Sequence, residues 1–220
     1  MLLSLLFSLL APAFEFPPRV TLMEIQGRAH RSPLAGEHVI VEGIVTSITP
    51  DGFYLQDPRG DGDPATSDAA FVATDDQMVR AGDLVDVAGS VVERSTGSEP
   101  HYLTRTEIDA APVVILARDR ALSPGVIIGP GRRVPPTAII DDDAMQEYQP
   151  VTDGIDFYES LECMRVTIRR ARAIGPLDPF GDAWVVPAGL ASGLNARGGI
   201  TARPLDANPE RIRARGAGPC

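Results

Sequence analysis

Lysine is missing from this chain: all 20 basic residues are arginine, set against 30 acidic ones, for a formal net charge of −10 over 220 residues. The replacement of lysine by arginine reads as the mark of a GC-rich genome rather than of chemistry. Binding to double-stranded DNA rests mainly on phosphate neutralisation, which an acidic chain does poorly as a whole. Any nucleic-acid role must therefore sit on a local arginine patch, a bound cation or a partner domain. Two cysteines are too few for a disulfide framework. The three histidines (His30, His38, His101) are scattered and no C-x-x-C occurs, which argues against zinc. No G-x-S-x-G, P-loop or dinucleotide fingerprint is present. After residue 14 no apolar run approaches the ~20 residues needed to cross a bilayer, so stable membrane insertion is not expected.

What is there is globular: 44% hydrophobic and 23% charged residues. The length suits one large domain or two small ones, at about 100–200 residues each. Twenty-one glycines and 20 prolines imply many turns and short strands. Residues 1–14, MLLSLLFSLLAPAF, match the apolar core of a secretory signal, with Ala11-Pro12-Ala13 resembling a cleavage site, although a basic leader is missing. This predicts a secreted or periplasmic protein. A mis-assigned start or a buried first strand would account for the same run.

From Ile25 onward the segments are β-type. HVIVEGIVTSI (38–48) is β-branched and alternating, Asp51-Gly52 signals a hairpin, and GFYLQD (52–57) reads as the return strand. AAFVAT (69–74), LVDVAGSVVERS (84–95) with a bend at Gly89, YLTRTEI (102–108) and VVILARD (113–119) complete five to six strands. The pattern predicts an all-β fold in which residues 20–119 close an OB-like small β-barrel. Periodicity alone does not separate it from an SH3-like barrel. Residues 120–150 read as a linker with one short helix over 135–149, its N-terminal turn favoured by Asp141 to Asp143. Residues 151–212 read as a second, incomplete OB-like β unit. Met164, Val166 and Ile168 alternate there with Arg165, Thr167 and Arg169, and 181–190 forms the return strand. RARGAGPC (213–220) is an irregular tail.

An ordered set of motifs resembles one family. IQG (25–27), SPLAG (32–36), GIVT (43–46), DGFYLQD (51–57), DGDPATSD (61–68) and AGDLVDVAG (81–89) are followed by DGIDFYESLECMRV (153–166) and GGITARPLDANPERI (198–212). Together they look like the OB-like region ahead of the catalytic domain in secreted bacterial nucleases of the endonuclease/exonuclease/phosphatase superfamily, over roughly residues 23–212. The resemblance implies DNA or RNA as a partner, a nuclease catalytic domain as another, and Mg²⁺ only through that domain. Two departures stand out. The family usually carries glycine where this chain has Cys163, and nothing after Arg213 offers the acid, histidine and asparagine of the catalytic domain, as in a truncated gene. The resemblance thus makes the chain the non-catalytic front of an extracellular nuclease, or a structural scaffold barrel packing on the catalytic domain without touching substrate.

Four sets of residues could carry chemistry. Phe53, Tyr54, Phe71 and Tyr102 are candidates for base stacking. Strand alternation puts Phe53 and Leu55 inside and leaves Tyr54 and Gln56 as the exposed, nucleic-acid-facing pair, unless all the aromatics fill the core. Arg165, Arg169, Arg170 and Arg172 form a basic stripe suited to a phosphate backbone. It could equally pair with Asp141 to Asp143 or with Glu159 and Glu162, or dock on another domain. Asp57, Asp61, Asp63 and Asp68 place four carboxylates within twelve residues, a candidate Ca²⁺ loop without the EF-hand pattern. A solvated turn-rich loop would have the same composition.

Overall fold

The computed structural model describes residues 16–75, 78–95 and 103–216. The signal-like segment 1–14, Tyr102 and the end of the tail, 217–220, lie outside the described residues.

β-Branched alternation in His38–Thr49 (β2) produces a long strand with Val39, Val41 and Val45 fully buried on one side. Its length lets it bend and pair twice: with Leu84–Ser95 (β5) along its first half, and with Gly52–Gln56 (β3) along its second, after an irregularity between Val45 and Ser47. β3 continues to Ala69–Ala73 (β4), and β4 runs parallel to Thr104–Ala117 (β6). β6 returns antiparallel to β5, closing the ring β2-β3-β4-β6-β5-β2. A parallel contact between the third and fifth barrel strands, with the first closing on the fourth, is the OB topology, and it decides the alternative that periodicity left open. The segments 102–108 and 113–119 form one continuous strand in the described part, and β5 slips register between Val87 and Gly89, at the bend expected there. Phe53 and Leu55 join Val72, Val85, Val87, Val91 and Ile108 in the core.

Arg19–Val20 (β1) lies parallel on β2. The helix Leu22–Gln26 (α1) presses Leu22 and Ile25 into the same core. Its sequence signal is the capping box: Thr21 N donates to Glu24 Oε2 at 2.7 Å and Glu24 N to Thr21 Oγ1 at 3.2 Å. Five residues are too few to show helical periodicity, so only the caps betray it.

The 120–150 segment differs from expectation. It contributes a strand, Val126–Ile128 (β7), paired in parallel with Val166–Ile168 (β8), and residues 135–149 are not helical. The reason is competition from short polar side chains. Asp141 Oδ1 accepts from Asp143 N and Met145 N, and the Asp143 carboxylate takes Gln146 N and Glu147 N, so the amides a helix would use are diverted. The second helix is instead Gly154–Glu159 (α2).

Beyond α2, Arg172–Ala173 (β9), Ala183–Val186 (β10) and Ile212–Ala214 (β11) make an antiparallel sheet in the order β11-β10-β9. Its outer edges are unpaired among the described residues, as an incomplete unit requires, but its strands do not repeat the barrel. The alternating run at 164–169 is a strand only over Val166–Ile168, and just beyond it Arg170 adopts φ 50° and turns the chain. A small core of Ile128, Phe157 and Leu161 supports this part.

The β2–β3 hairpin depends on Gly52. Its φ is 148°, and a Cβ there would lie 1.9 Å from the Val72 carbonyl oxygen. Gly52→Ala is expected to cost at least about 2 kcal/mol, read as a lower midpoint in urea. An unchanged midpoint would show that β3 and β4 are less closely apposed than described.

Candidate nucleic-acid interface

OB barrels ordinarily present ligands with the outer face of their second and third strands, here β3 and β4. Alternation along β3 holds: Phe53 and Leu55 point in, Tyr54 and Gln56 point out. Outside the barrel is nevertheless not outside the protein. Gln56 is only 3% exposed, and its Oε1 accepts from the Arg165 amide at 3.0 Å. Tyr54 is half-buried, edge-on to Phe71 with ring centroids 5.2 Å apart, while the Arg105 guanidinium lies 3.9 Å from the Phe71 ring centre. The expected exposed pair is therefore corrected. Gln56 is committed to the chain's own backbone, and Tyr54 borders a shallow cavity of about 470 Å³ beside Cys163 and Met164.

The cover is the segment after α2. Ser67 Oγ donates to the Glu162 carbonyl at 2.6 Å, and Glu162 Oε2 accepts from Gln26 Nε2 and Thr106 N, both at 3.2 Å. His30 Nε2 meets Asp156 Oδ1 at 2.5 Å. Acids are concentrated in this seam. Burial, with Glu162, Glu93 and Asp156 nearby, pushes the Glu159 carboxyl up to about 9. Burial raises Glu162 to about 7 against the opposing hydrogen bonds from Thr106 and Gln26. Burial also pushes the Cys163 thiol well up, so it is a poor nucleophile. Cys163 sits at φ 60°, the left-handed region that favours glycine.

The arginines are exposed as expected, at 165, 169, 170 and 172, but they do not share one strand face. Arg165 Nη1 donates to the Ser123 carbonyl at 3.0 Å, and Arg172 begins β9. Arg169 and Arg170, on the turn after β8, instead meet Arg132 around a groove of about 240 Å³ floored by Ile127, Gly129, Pro130 and Ala188. None of the three guanidiniums has an ion pair or side-chain hydrogen bond among the described residues. Several arginines elsewhere are matched: Arg19 with Asp86, Arg94 and Arg105 with Glu107, Arg118 with Asp83, Arg213 with Asp178 and Asp182. Arg132 escaped the sequence reading because it lies in a stretch taken for linker. Its signal was the Arg132-Arg133 pair.

The acidic loop 57–68 spends its carboxylates locally. Asp57 Oδ1 accepts from Arg59 N and Gly60 N, and Asp61 from Asp63 N and Thr66 Oγ1. Asp63 accepts from Ala65 N and pairs with Arg28. Burial raises the Asp68 carboxyl, whose Oδ1 has no partner. Asp57, Asp61 and Asp63 thus serve as acceptors within the loop's own turns. The cluster of three carboxylates among the described residues lies at Asp141, Asp143 and Asp153, where burial and then the charge of Asp142 raise the Asp153 carboxyl.

Glu159 and Glu162 titrate higher in the folded chain than their ordinary value of 4.5. Folding thus favours their protonated forms, and the stabilisation is full below about pH 4.5 and lost as pH rises through about 7 and then 9. The melting midpoint is expected to fall between pH 5 and 9, with the alkaline part of the fall flattened in Glu159→Gln. A wild-type midpoint that rises over this range would contradict it. Cys163→Gly relieves a left-handed backbone worth about 1–2 kcal/mol against an entropic cost of about 0.5–1 kcal/mol for glycine, so a slightly higher midpoint in urea is expected and a lower one would contradict it.

A family model described as a domain of unknown function (DUF8508) matches residues 127–216, the part that carries the arginine groove. No curated protein matches the chain. Among solved structures, the chain is similar to the small single-stranded DNA-binding protein from Streptomyces coelicolor, at 20% identity and a TM-score of 0.27, over 36% of this chain and 92% of that one. It is also similar to the OBody AM1L10 bound to hen egg-white lysozyme, at 19% identity and a TM-score of 0.27, over 39% of this chain and 83% of the other.

Proposed function

We propose that this chain is a nucleic-acid-associated OB module that holds a DNA or RNA strand by its phosphates in the Arg132, Arg169 and Arg170 groove. The observation that carries the reading is that three arginines without acidic partners among the described residues line one groove on a chain of net charge −10. In so acidic a chain, arginines left unmatched side by side repel one another, and a phosphate backbone offsets that repulsion. Arg165 and Arg172 flank the groove in sequence and extend the basic surface. The motif resemblance supplies the wider context: an extracellular nuclease, secreted or periplasmic, whose metal-dependent catalytic domain performs the hydrolysis. The described residues of this chain position substrate and do not cut it.

A second reading is favoured by one observation. The usual OB ligand face is covered by the 160–165 segment through Gln56, Ser67 and Glu162, which is what a scaffold barrel packed on a catalytic domain could tolerate.

Fluorescence anisotropy with labelled single-stranded DNA and RNA, repeated across a salt series, separates the two. Phosphate contacts make log affinity fall linearly with log salt, by about 0.7 per contact for a single strand. The triple variant Arg132→Ala/Arg169→Ala/Arg170→Ala is expected to lower that slope by about two and to weaken binding tenfold or more at low salt. Absence of binding at every salt concentration supports the scaffold. With Mg²⁺ and plasmid DNA the chain is expected to give no cleavage, and turnover would overturn both readings.

A further inference from the structure

A second candidate site lies in the strap between β7 and α2, away from the groove. Backbone pairing of this strap with the start of α2, from Gly154 N to Ile139 O at 3.1 Å and from Ile155 N to Ile140 O at 3.0 Å, delivers the next residues beside Asp153. The approach needs glycine at 154, where a Cβ would lie 2.4 Å from Pro209 Cβ. One oxygen from each of Asp141, Asp143 and Asp153 then lies within 4.8 Å of the other two.

Asp153 supplies an independent sign of a ligand. It stands at the N-cap of α2, where an aspartate ordinarily accepts from amides of the first turn. Here it makes no side-chain cap hydrogen bond. The residue is 2% exposed, and its Oδ1 has no hydrogen-bond partner. A buried carboxylate oxygen without a donor is costly, and two further carboxylates beside it add repulsion. A hard cation removes both penalties at once. Oxygens on opposite sides of Ca²⁺, each at 2.3–2.6 Å, are about 4.6–5.2 Å apart, whereas the limit for Mg²⁺ is about 4.2 Å. All three separations lie within 4.8 Å, inside the span that the oxygens of a Ca²⁺ shell allow.

We propose that Asp141, Asp143 and Asp153 form a calcium site that ties the 141–149 loop to α2. Calcium takes six to eight oxygens, so water and backbone carbonyls complete the shell. The ion also bears on the seam with the barrel. Asp156, on the first turn of α2, accepts from Gln149 N at 2.5 Å and meets His30 at 2.5 Å, so ordering the loop orders the residues that dock α2 on the barrel.

The test is thermal unfolding of the full chain after EDTA treatment, titrated with CaCl₂ and, in parallel, MgCl₂. Calcium at a hundredfold excess over its Kd is expected to raise the midpoint by about 5–10 °C, with a smaller rise for magnesium. Terbium luminescence, sensitised through Tyr148 of the same loop, gives a direct binding readout. Asp153→Asn should abolish the shift and the luminescence while melting no lower than the calcium-free parent, because it removes a repelled charge. Asp143→Asn, on the partly exposed loop, should give the same loss and serves if the first variant does not fold. Asp61→Asn, in the acidic loop, should leave the shift intact. The proposal is overturned by a wild-type chain insensitive to calcium, by a shift that survives both site variants, or by one that disappears with Asp61→Asn.

Discussion

Glu162 holds the molecule to its working shape. Its carboxylate accepts from an amide of β6 and a side chain of α1, its carbonyl accepts from Ser67 at the edge of β4, and three residues on, the Arg165 amide reaches Gln56 of β3. These contacts fasten the segment after α2 across the face that an OB barrel usually offers to a ligand. A buried carboxyl with donors on both sides is far more costly to strip than to keep, so the cover is a built part of the fold. The proposed binding surface therefore lies on the chain that covers the barrel, where Arg169 and Arg170 follow β8 and line one groove with Arg132.

Charge is distributed to match. Four arginines of the barrel strands and their flanks, Arg19, Arg94, Arg105 and Arg118, each have a carboxylate partner. Arg132, Arg169 and Arg170 have no such partner among the described residues and line one groove, while three carboxylates come together at Asp141, Asp143 and Asp153. An excess of ten negative charges therefore coexists with one strongly basic groove, since electrostatic contacts to a phosphate act within about a Debye length of 8–10 Å. Arg132 at one site and Asp141 and Asp143 at the other belong to one stretch of chain, residues 129–143. Phosphate binding at one end and cation binding at the other would order the same stretch of backbone.

Residue by residue, legibility follows the range of the interaction. The β2–β3 hairpin was readable because Asp51-Gly52 and the alternation of Phe53 and Leu55 act between near neighbours. The bend at Gly89 was readable for the same reason. The helix expected over 135–149 failed because Asp141 and Asp143 capture the amides that would have propagated it. Gln56 was placed on the correct side of its strand and still misjudged, since no pattern within β3 announces that a segment more than a hundred residues away lies on it. Arg132 was overlooked because glycine and proline around it mark a connection, and its partners come from a turn almost forty residues later.

By itself the amino-acid order determined the all-β class and the inward face of the β2–β3 hairpin. Those properties follow from side-chain shape and the two-residue period of a strand, which are local. Only the tertiary structure decided which outer faces meet water, which arginines lose their carboxylates and which three aspartates converge. Each of those outcomes depends on where distant backbone is laid down, and a strand's period carries no information about what packs against its far side.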